Sequence, residues 1–139
     1  MERGYGIFHV ALKVLLRKGD TYLFLKTKKG HLDLPGGRID NVEYETPLLE
    51  VIDREIREEL GEISYKIGKP IFQYRRHFKD LGIYVFLTVY EAEFIAGEIT
   101  LSDEHSDYEW INAKTHQFTL KEFYHREELA VFKKYFNQQ

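Results

Sequence analysis

Three glutamates near the middle of the chain have the spacing of a metal site. Glu55, Glu58 and Glu59 lie three and four residues apart, so they are neighbours on one face of a helix. At about 100° per residue, their carboxylates fall within an arc of about 100°. Like charges this close repel each other unless a cation neutralises them. The spacing therefore predicts a site for a divalent cation.

The helical wheel places one of these acids inside the apolar face. Glu59 projects into the apolar stripe, and Glu55 lies at its edge. Because carboxylates are seldom buried without a partner, this placement favours metal binding. The alternative is a solvated Glu-rich helix supported by an i,i+4 pair between Arg54 and Glu58. The residues expected in the stripe are Leu48, Leu49, Ile52, Ile56 and Leu60.

A double-glycine turn, Pro35-Gly36-Gly37, comes shortly before this helix. Glycine can adopt φ > 0 and lets the backbone approach a ligand closely. We expect the N–H groups of Gly36 and Gly37 to donate to phosphate oxygens, as in other anion-binding turns. An isolated pair of glycines would indicate a tight turn only. Followed by an acidic helix, it predicts phosphate binding beside the cation.

The stretch from Leu34 to Gly61 resembles the signature box of the Nudix hydrolases. Residues 54–61, REIREELG, agree with the family's Arg-Glu-apolar-any-Glu-Glu-any-Gly run at every fixed position, and they follow LPGG. These enzymes resemble one another in holding magnesium or manganese against a diphosphate linked to a variable group X. The resemblance implies an α/β/α sandwich with a mixed sheet. It also implies a metal-dependent pyrophosphohydrolase, in which water attacks a nucleoside diphosphate linked to X.

The chain departs from the family's pattern in the loop before the helix. The family's loop glutamate corresponds to Glu43, but ten residues separate Glu43 from Arg54 where seven are usual. The loop is thus three residues longer, and Glu45 is an alternative to Glu43. The position after Gly61 is usually apolar and is Glu62 here.

The resemblance also implies roles for individual residues. Arg54 is expected to orient a carboxylate through its guanidinium rather than to touch substrate. The acidic stretch LSDEHSDYEW resembles the family's distal acidic loop. Its candidate metal ligand or general base is Glu104, with Asp103, Asp107 and Glu109 as rivals and a solvated loop as the alternative. The expected metal ligands are Glu55, Glu58, Glu59 and Gly37, and the expected catalytic residues are Glu58, Glu55, Arg54 and Glu104.

Three further residues outside the box are candidates on their chemistry alone. Arg75 and Arg76 end a predicted strand, where an arginine can meet substrate phosphates. Successive side chains of a strand point to opposite faces, so at most one of the two points into the site. His105 would titrate near neutral pH, although a lone histidine in a loop is more often simply exposed.

Composition limits the classes of protein that this chain can be. Its 139 residues suit a single domain, 1–139, with a genuine core. The absence of cysteine excludes disulfides and thiolate metal sites and fits a reducing cytoplasm. A net charge of -3 argues against a broad nucleic-acid surface. No apolar run approaches the roughly 20 residues of a membrane span, and MERGYGIFHV lacks the order of a secretory signal.

Hydrophobic periodicity predicts strands on both sides of one central helix and a closing helix. Thr46 is the expected N-cap with Pro47 as the first helical residue, and Gly61 is the expected stop. This order suggests a mixed sheet covered by helices. The predicted strands are Ile7–Leu16, Thr21–Leu25, Ile63–Tyr74, Ile83–Phe94, Ile99–Leu101 and Tyr108–Ile111, and the closing helix is 120–136.

The sequence leaves two principal functions open. One is the hydrolase, and the other is a non-catalytic nucleotide or ADP-ribose sensor of the same fold. The complete REIREELG run favours the hydrolase, since a sensor has no need of three repelling carboxylates. A third idea, an acidic helix for protein docking, predicts no metal dependence. The motifs of the coenzyme A, NADH, ADP-ribose and diadenosine subgroups are not found. Nucleoside triphosphates, oxidised nucleotides and small conjugates remain as candidate substrates. The resemblance also implies a possible homodimer, for which this chain shows no sequence signal.

Overall fold

Seven strands pair into one mixed sheet in the computed structural model, which describes residues 3–139. Met1 and Glu2, the first residues of the stretch searched for a secretory signal, lie outside the described residues. The strands are β1 (His9–Lys18), β2 (Thr21–Lys26), β3 (Leu32–Asp33), β4 (Gly36–Arg38), β5 (Ser64–Phe78), β6 (Ile83–Ala96) and β7 (Asp107–Asn112). The helices are α1 (Leu48–Leu60) and α2 (Arg126–Tyr135), and 3-10 turns lie at Asn41–Glu43, Lys79–Leu81 and Leu120–Glu122.

The strand order makes β1 the centre of the sheet. The hydrogen-bonded path runs β3-β2-β1-β6-β5, with β4 also paired to β1 and β7 paired to β2. Only β1 and β6 run parallel among the described strand pairs, and the other pairs are antiparallel. The end of β1 at Arg17 and Lys18 pairs with β2, whereas its segment Ala11–Lys13 pairs with β4.

Each face of the sheet carries one helix over its own apolar cluster. Alternate residues of β1 point to opposite faces, as the two-residue period of a strand requires. Leu12, Val14 and Leu16 pack with α1, whereas Ala11 and Leu15 pack on the side of α2. The predicted α/β/α sandwich with a mixed sheet is therefore confirmed.

Helix α1 begins one residue later than predicted. Pro47 is the N-cap residue and Leu48 the first helical one, so the assignment of Thr46 as the N-cap is wrong. The Thr46 N–H donates to the Glu43 carbonyl at 2.9 Å, which continues the preceding turn instead of starting the helix. Gly61 ends the helix as predicted, with φ +82° and its N–H donating to the Arg57 carbonyl at 3.0 Å.

The apolar stripe of α1 also differs in its first turn. Leu48 and Leu49 are half-exposed, so their expected place in the core is wrong, and Val51 is buried with the rest of the stripe instead. The wheel cannot show that the first turn extends beyond the apolar cluster, because that depends on where the sheet ends.

The predicted strand at Ile99–Leu101 is wrong, and its backbone has another task. The Thr100 N–H donates to the Leu60 carbonyl at 2.9 Å, and the Ser102 N–H donates to the Glu59 carbonyl at 3.2 Å. The last carbonyls of a helix have no partner within it. This segment supplies two of those partners, and it thereby fixes the following acidic loop against the end of α1.

The closing helix is shorter than predicted. Residues 120–122 form a 3-10 turn, Phe123 is extended, and α2 starts only at Arg126. The strands β3 and β4 on either side of Pro35 were not predicted, because pieces of two and three residues carry no periodicity. Within residues 3–139, no helix combines the length and apolar character that crossing a membrane requires.

Candidate active site

The three carboxylates of α1 have unequal exposure. Glu59 and Glu55 are 5% and 9% exposed, whereas the Glu58 side chain is 60% exposed. Burial raises the pKa of Glu59 to about 7, although Lys13 opposes the shift. Burial also raises the pKa of Glu55 against the effect of Arg54. The Glu59 Oε2 atom is buried without a hydrogen-bond partner. The expected intrusion of Glu59 into the apolar face is confirmed.

Arg54 joins the loop before α1 to the carboxylates of the helix. Its Nε and Nη2 atoms donate to both oxygens of Glu43 at 2.6 and 2.5 Å. Its Nη1 atom lies 2.9 Å from Glu55 Oε1 and 3.1 Å from Glu58 Oε2. Such bidentate, charge-assisted bonds are among the strongest polar contacts in proteins. Arg54 thus holds three carboxylates in place.

The pairing with Arg54 distinguishes the two loop glutamates. Glu43 is the partner of Arg54, and its Oε1 atom also accepts from the Asp40 N–H at 2.9 Å. The hydrogen bond from Arg54 lowers the pKa of Glu43. Glu45 is exposed. In the longer loop, the structure therefore gives Glu43 the position that the sequence left open.

The two glycines of the turn are required for different reasons. Gly36 has φ +133°, and a Cβ there would collide with the Leu12 carbonyl. Gly37 does not have a positive φ, contrary to the expectation, but a Cβ there would collide with the carboxylate of Glu55. Gly37 therefore leaves room for the carboxylate of Glu55 beside the turn.

The ladder between β1 and β4 occupies the N–H of Gly37. Val14 donates to the Pro35 carbonyl at 2.9 Å and Ile39 donates to the Val10 carbonyl at 2.8 Å. Antiparallel pairs alternate between bonded and non-bonded, so Leu12 and Gly37, midway between these two pairs, form a bonded pair. The Gly37 N–H is thus directed to Leu12, not to a phosphate, and the alternation turns the Gly36 N–H away from β1.

The distal acidic loop brings Glu104 to the helix carboxylates. Glu59, Glu104 and His105 each offer a ligand atom, and these atoms lie within 4.8 Å of one another. Two of the rivals have other contacts: Asp107 accepts from the Tyr108 N–H at 2.8 Å, and Glu109 pairs with Lys26 at 2.8 Å. Glu104 is therefore the acid of this loop that joins the cluster.

Asp33 forms a buried junction that sequence reasoning missed. It accepts from Arg76 Nη2 at 3.1 Å, from the Leu34 N–H at 2.8 Å and from Lys13 Nζ at 3.4 Å. His105 Nε2 lies 3.6 Å from its Oδ2. Burial opposes ionisation, but Lys13 and Arg76 hold the pKa of Asp33 far below its usual range.

Lys13 connects this junction to the glycine turn. Its Nζ donates to the carbonyls of Leu34 and Gly36 at 3.1 and 3.4 Å. Both residues left a signal in the sequence: Lys13 is a lone charge in an apolar strand, and Asp33 lies between Leu32 and Leu34. A charge in a buried run requires a buried partner.

The two arginines of β5 lie on opposite faces, as expected. Arg75 is at the surface and pairs with Glu127, with Nη2 2.7 Å from Oε2. Arg76 is buried between Asp33 and Glu128, with Nη2 2.5 Å from Glu128 Oε1, and its guanidinium lies 4.3 Å from the ring centre of Tyr124. These carboxylates engage two nitrogens of Arg76, which favours a structural role over contact with phosphate.

The donor atoms at this end of the sheet fit a hard divalent cation. Apart from the imidazole of His105, they are carboxylate oxygens from α1 and the distal loop, which Mg²⁺ and Mn²⁺ prefer. The unpartnered Glu59 Oε2 is the observation that tests the fit, because a buried carboxylate oxygen is unfavourable without a positive partner.

The sequence model of the NUDIX domain family matches residues 7–133 of this chain. The chain belongs to the Nudix hydrolase family. It is a pyrophosphatase, a hydrolase of phosphorus-containing anhydrides, and Nudix hydrolases generally need divalent cations. No curated protein sequence matches it.

Solved structures share the fold of this Nudix hydrolase. A MutT NUDIX hydrolase from Burkholderia pseudomallei superposes with a TM-score of 0.70 at 22% identity, over 91% of this chain and 98% of that one. The MutT protein of Methanosarcina mazei Go1 superposes with a TM-score of 0.70 at 23% identity, over 95% of this chain and 96% of that one. An Ap4A hydrolase of C. elegans superposes with a TM-score of 0.70 at 20% identity, over 91% of this chain and 94% of that one. At these identities the likeness shows the fold.

Proposed function

We propose that this Nudix hydrolase, acting as one domain over residues 1–139, cleaves the diphosphate of a nucleoside diphosphate linked to X by attack of water. The group X makes the substrate a nucleoside triphosphate, an oxidised nucleotide or a small nucleotide conjugate. Mg²⁺ or Mn²⁺ is the proposed cofactor.

One observation carries the proposal: a buried carboxylate oxygen without a partner faces a group of further ligand atoms. Glu59 is buried in the apolar face of α1, and Glu104 and His105 converge on it. A protein that needed only a packed helix would place an apolar residue there. Converging carboxylates are stable when a cation lies among them.

The residues proposed to hold the cation are Glu55, Glu58, Glu59, Glu104 and Gly37. Gly37 lacks a side chain and so leaves the room that the Glu55 carboxylate occupies. Its carbonyl oxygen accepts from the Leu12 N–H and keeps a second lone pair for the cation. When bound, the cation would stabilise negative charge on the phosphoryl oxygens and lower the pKa of a water ligand. Arg54 keeps Glu55 and Glu58 directed towards the same place.

The proposed reaction needs one proton acceptor, and Glu104 is our candidate, with one carboxylate oxygen on the cation and the other free to take the proton. Its side chain is exposed, so it can reach an incoming water, whereas Glu59 is enclosed. Glu104 accepts a proton as the water oxygen forms a bond to phosphorus. The bridging P–O bond breaks, and its electron pair stays on the oxygen of the leaving phosphate. The Gly36 N–H and the exposed Arg75 are proposed to contact the phosphates.

The test is a panel of nucleotides incubated with Mg²⁺ and with Mn²⁺, with products identified by mass in water enriched in ¹⁸O. We expect two phosphate-bearing products, one ¹⁸O atom in one of them, and no turnover in EDTA. Glu58→Gln should lower kcat by at least about a hundredfold. Glu50→Gln is the matched control, because Glu50 is exposed on the first turn of the same helix.

The same experiment separates the hydrolase from the sensor. A nucleotide that binds in the presence of Mg²⁺ but survives intact would identify a binding module and overturn the proposal. Equal turnover with and without EDTA would overturn the metal dependence.

A further inference from the structure

His105 has the surroundings of a metal ligand rather than of a loop residue. Its side chain is 8% exposed, although its neighbours Glu104 and Ser106 are exposed. The Nδ1 atom is buried and has no hydrogen-bond partner. A buried imidazole nitrogen without a partner is unfavourable unless something binds it.

The other ring nitrogen of His105 faces Asp33. The distance from Nε2 to Asp33 Oδ2 is 3.6 Å, and Asp33 is itself fixed by Arg76 and by the Leu34 N–H. Metal-bound histidines almost always direct their second ring nitrogen to such a carboxylate, which sets the tautomer and the ring orientation. This arrangement leaves Nδ1 as the nitrogen that is free to bind.

The ligand atoms near His105 come from separate elements and converge. Glu59 lies in the last turn of α1, and Glu104 and His105 lie in the distal loop, yet their ligand atoms fall within 4.8 Å of one another. Glu59 Oε2 is also buried and unpartnered. Two residues of this cluster thus each carry a buried polar atom without a partner, and a positive centre would satisfy both atoms.

Lys13 carries a positive charge that acts on Glu59, and this charge argues against a second cation at the cluster. Its Nζ donates to the Leu34 and Gly36 carbonyls and to Asp33, so its charge is shared with the turn. Arg76 compensates the charge of Asp33, and the two carboxylates of Glu59 and Glu104 outnumber the single charge of Lys13. The balance of charge at the cluster therefore still favours a divalent ion.

We propose that His105 is a nitrogen ligand for a divalent first-row transition ion, together with Glu59 and Glu104, and that Asp33 positions its ring. The inference rests on the proposed function in sharing Glu59 and Glu104 with the catalytic cation. An imidazole among carboxylates gives a mixed nitrogen and oxygen set, which favours transition ions over Mg²⁺. The site should therefore prefer Mn²⁺ to Mg²⁺.

The direct test is pulsed electron paramagnetic resonance of Mn²⁺ bound to the full chain, with the echo modulation recorded for protein containing natural or ¹⁵N-labelled histidine. We expect modulation from a coordinated ¹⁴N nucleus that changes to the ¹⁵N pattern in the labelled protein. His105→Ala should abolish it, and His9→Ala should leave it intact. His9 is the control because it is exposed at the start of β1. No nitrogen coupling in the wild-type protein, or coupling that survives His105→Ala, would overturn the inference.

The second test compares dissociation constants for Mn²⁺ and Mg²⁺ by titration calorimetry. His105→Ala should raise the dissociation constant for Mn²⁺ by at least about tenfold and change the dissociation constant for Mg²⁺ much less. Asp33→Asn should reproduce this loss in part, since it removes the carboxylate that orients the ring. Equal losses for both ions would overturn the inference.

These outcomes are distinct from failure of the proposed function. Metal-dependent hydrolysis without nitrogen coupling removes His105 from the ligand set and leaves the hydrolase standing. Nitrogen coupling without turnover supports His105 as a ligand and contradicts the proposed hydrolysis.

Discussion

Arg54 shows how much of the site depends on one side chain. It is adjacent in sequence to Glu55 and one turn from Glu58, but its two shortest bonds go to Glu43, eleven residues away. The guanidinium is planar and presents its donors in a fixed fork, so a single arginine can align several carboxylates. A lysine has the charge and lacks the fork.

For Arg54→Lys we expect a loss of about ten- to a hundredfold in kcat/KM, because the carboxylates lose their alignment while the charge remains. Steady-state kinetics with the best substrate of the panel measures this loss. Arg57→Lys is the control, since Arg57 lies on the same helix and its ion pairs are at the surface, with Asp53 at 2.9 Å and with Glu62 at 4.0 Å. Equal activity of the two variants would contradict the aligning role.

The buried carboxyl of Glu59 should make the stability of the metal-free protein depend on pH. Burial raises its pKa from 4.5 to about 7, so between these values the folded chain holds a proton that the unfolded chain releases. The free energy of unfolding should therefore fall as the pH rises through this range, by up to about 3 kcal/mol. Glu59→Gln cannot lose the proton. It should match the wild type near pH 5 and exceed it at pH 8.

Urea unfolding in EDTA at pH 5 and pH 8 measures this difference. Glu58→Gln is the control, because the Glu58 side chain is 60% exposed and should give the same change at both pH values. A difference between wild type and Glu59→Gln that is independent of pH would show that the buried carboxyl does not titrate as stated.

At the scale of elements, β4 matters through the space that it leaves beside α1. The strand has only three residues, yet it sets the distance between the turn and the helix. Gly37→Ala would place a methyl group against the Glu55 carboxylate. We expect a loss of activity of at least about tenfold and a small decrease in stability, since Glu55 must move.

Kinetics and thermal unfolding of Gly37→Ala test this expectation. Gly4→Ala is the control, because a Cβ at Gly4 meets nothing within 4 Å. A fully active Gly37→Ala enzyme would show that the position of Glu55 does not limit the reaction.

At the scale of the whole molecule, the charged junction at Asp33 connects α2 and the distal acidic loop to the sheet. Arg76 of β5 bonds to Asp33 of β3 and to Glu128 of α2, and Asp33 reaches Lys13 of β1 and His105 near the end of α1. Buried pairs are costly to break, because removing one partner leaves a charge without compensation. The catalytic end and α2 are therefore coupled through Arg76.

Glu128→Gln should decrease the free energy of unfolding by about 3 kcal/mol, since Arg76 loses a buried partner. Its neighbour provides the control: Glu127 pairs with Arg75 at the surface, and Glu127→Gln should cost less than about 1 kcal/mol. Urea unfolding of both variants at pH 7 measures the two losses in free energy of unfolding. Similar losses for the two variants would indicate that the buried pair contributes no more than the surface pair.

The sequence predicted the parts of the fold that have a period. Strands β1, β2, β5, β6 and β7 and both helices were predicted, because each repeats apolar residues over enough turns or pairs to be detected. The strands β3 and β4 were missed because they are too short to repeat. The segment at 99–101 was misread because the backbone N–H groups of Thr100 and Ser102 bond to the end of α1 instead of to a neighbouring strand, which is a tertiary contact.

The site was predictable where the motif is local. The placement of Glu59 in the apolar face follows from the helical wheel and is confirmed. Which loop glutamate meets Arg54 required the structure, since the loop departs from the family's spacing. Asp33 and Lys13 were missed because their importance depends on contacts twenty or more residues apart.

The bond between Glu43 and Arg54 separates the length of the loop from the geometry of the helix. Residues 44–47 lie between these two anchored positions, and Tyr44, Glu45 and Pro47 are exposed. Insertions there can accumulate during evolution without displacing a single ligand. A search pattern with fixed spacing would overlook relatives of this kind, whereas a pattern that fixes only the two anchors and lets the interval vary would recover them.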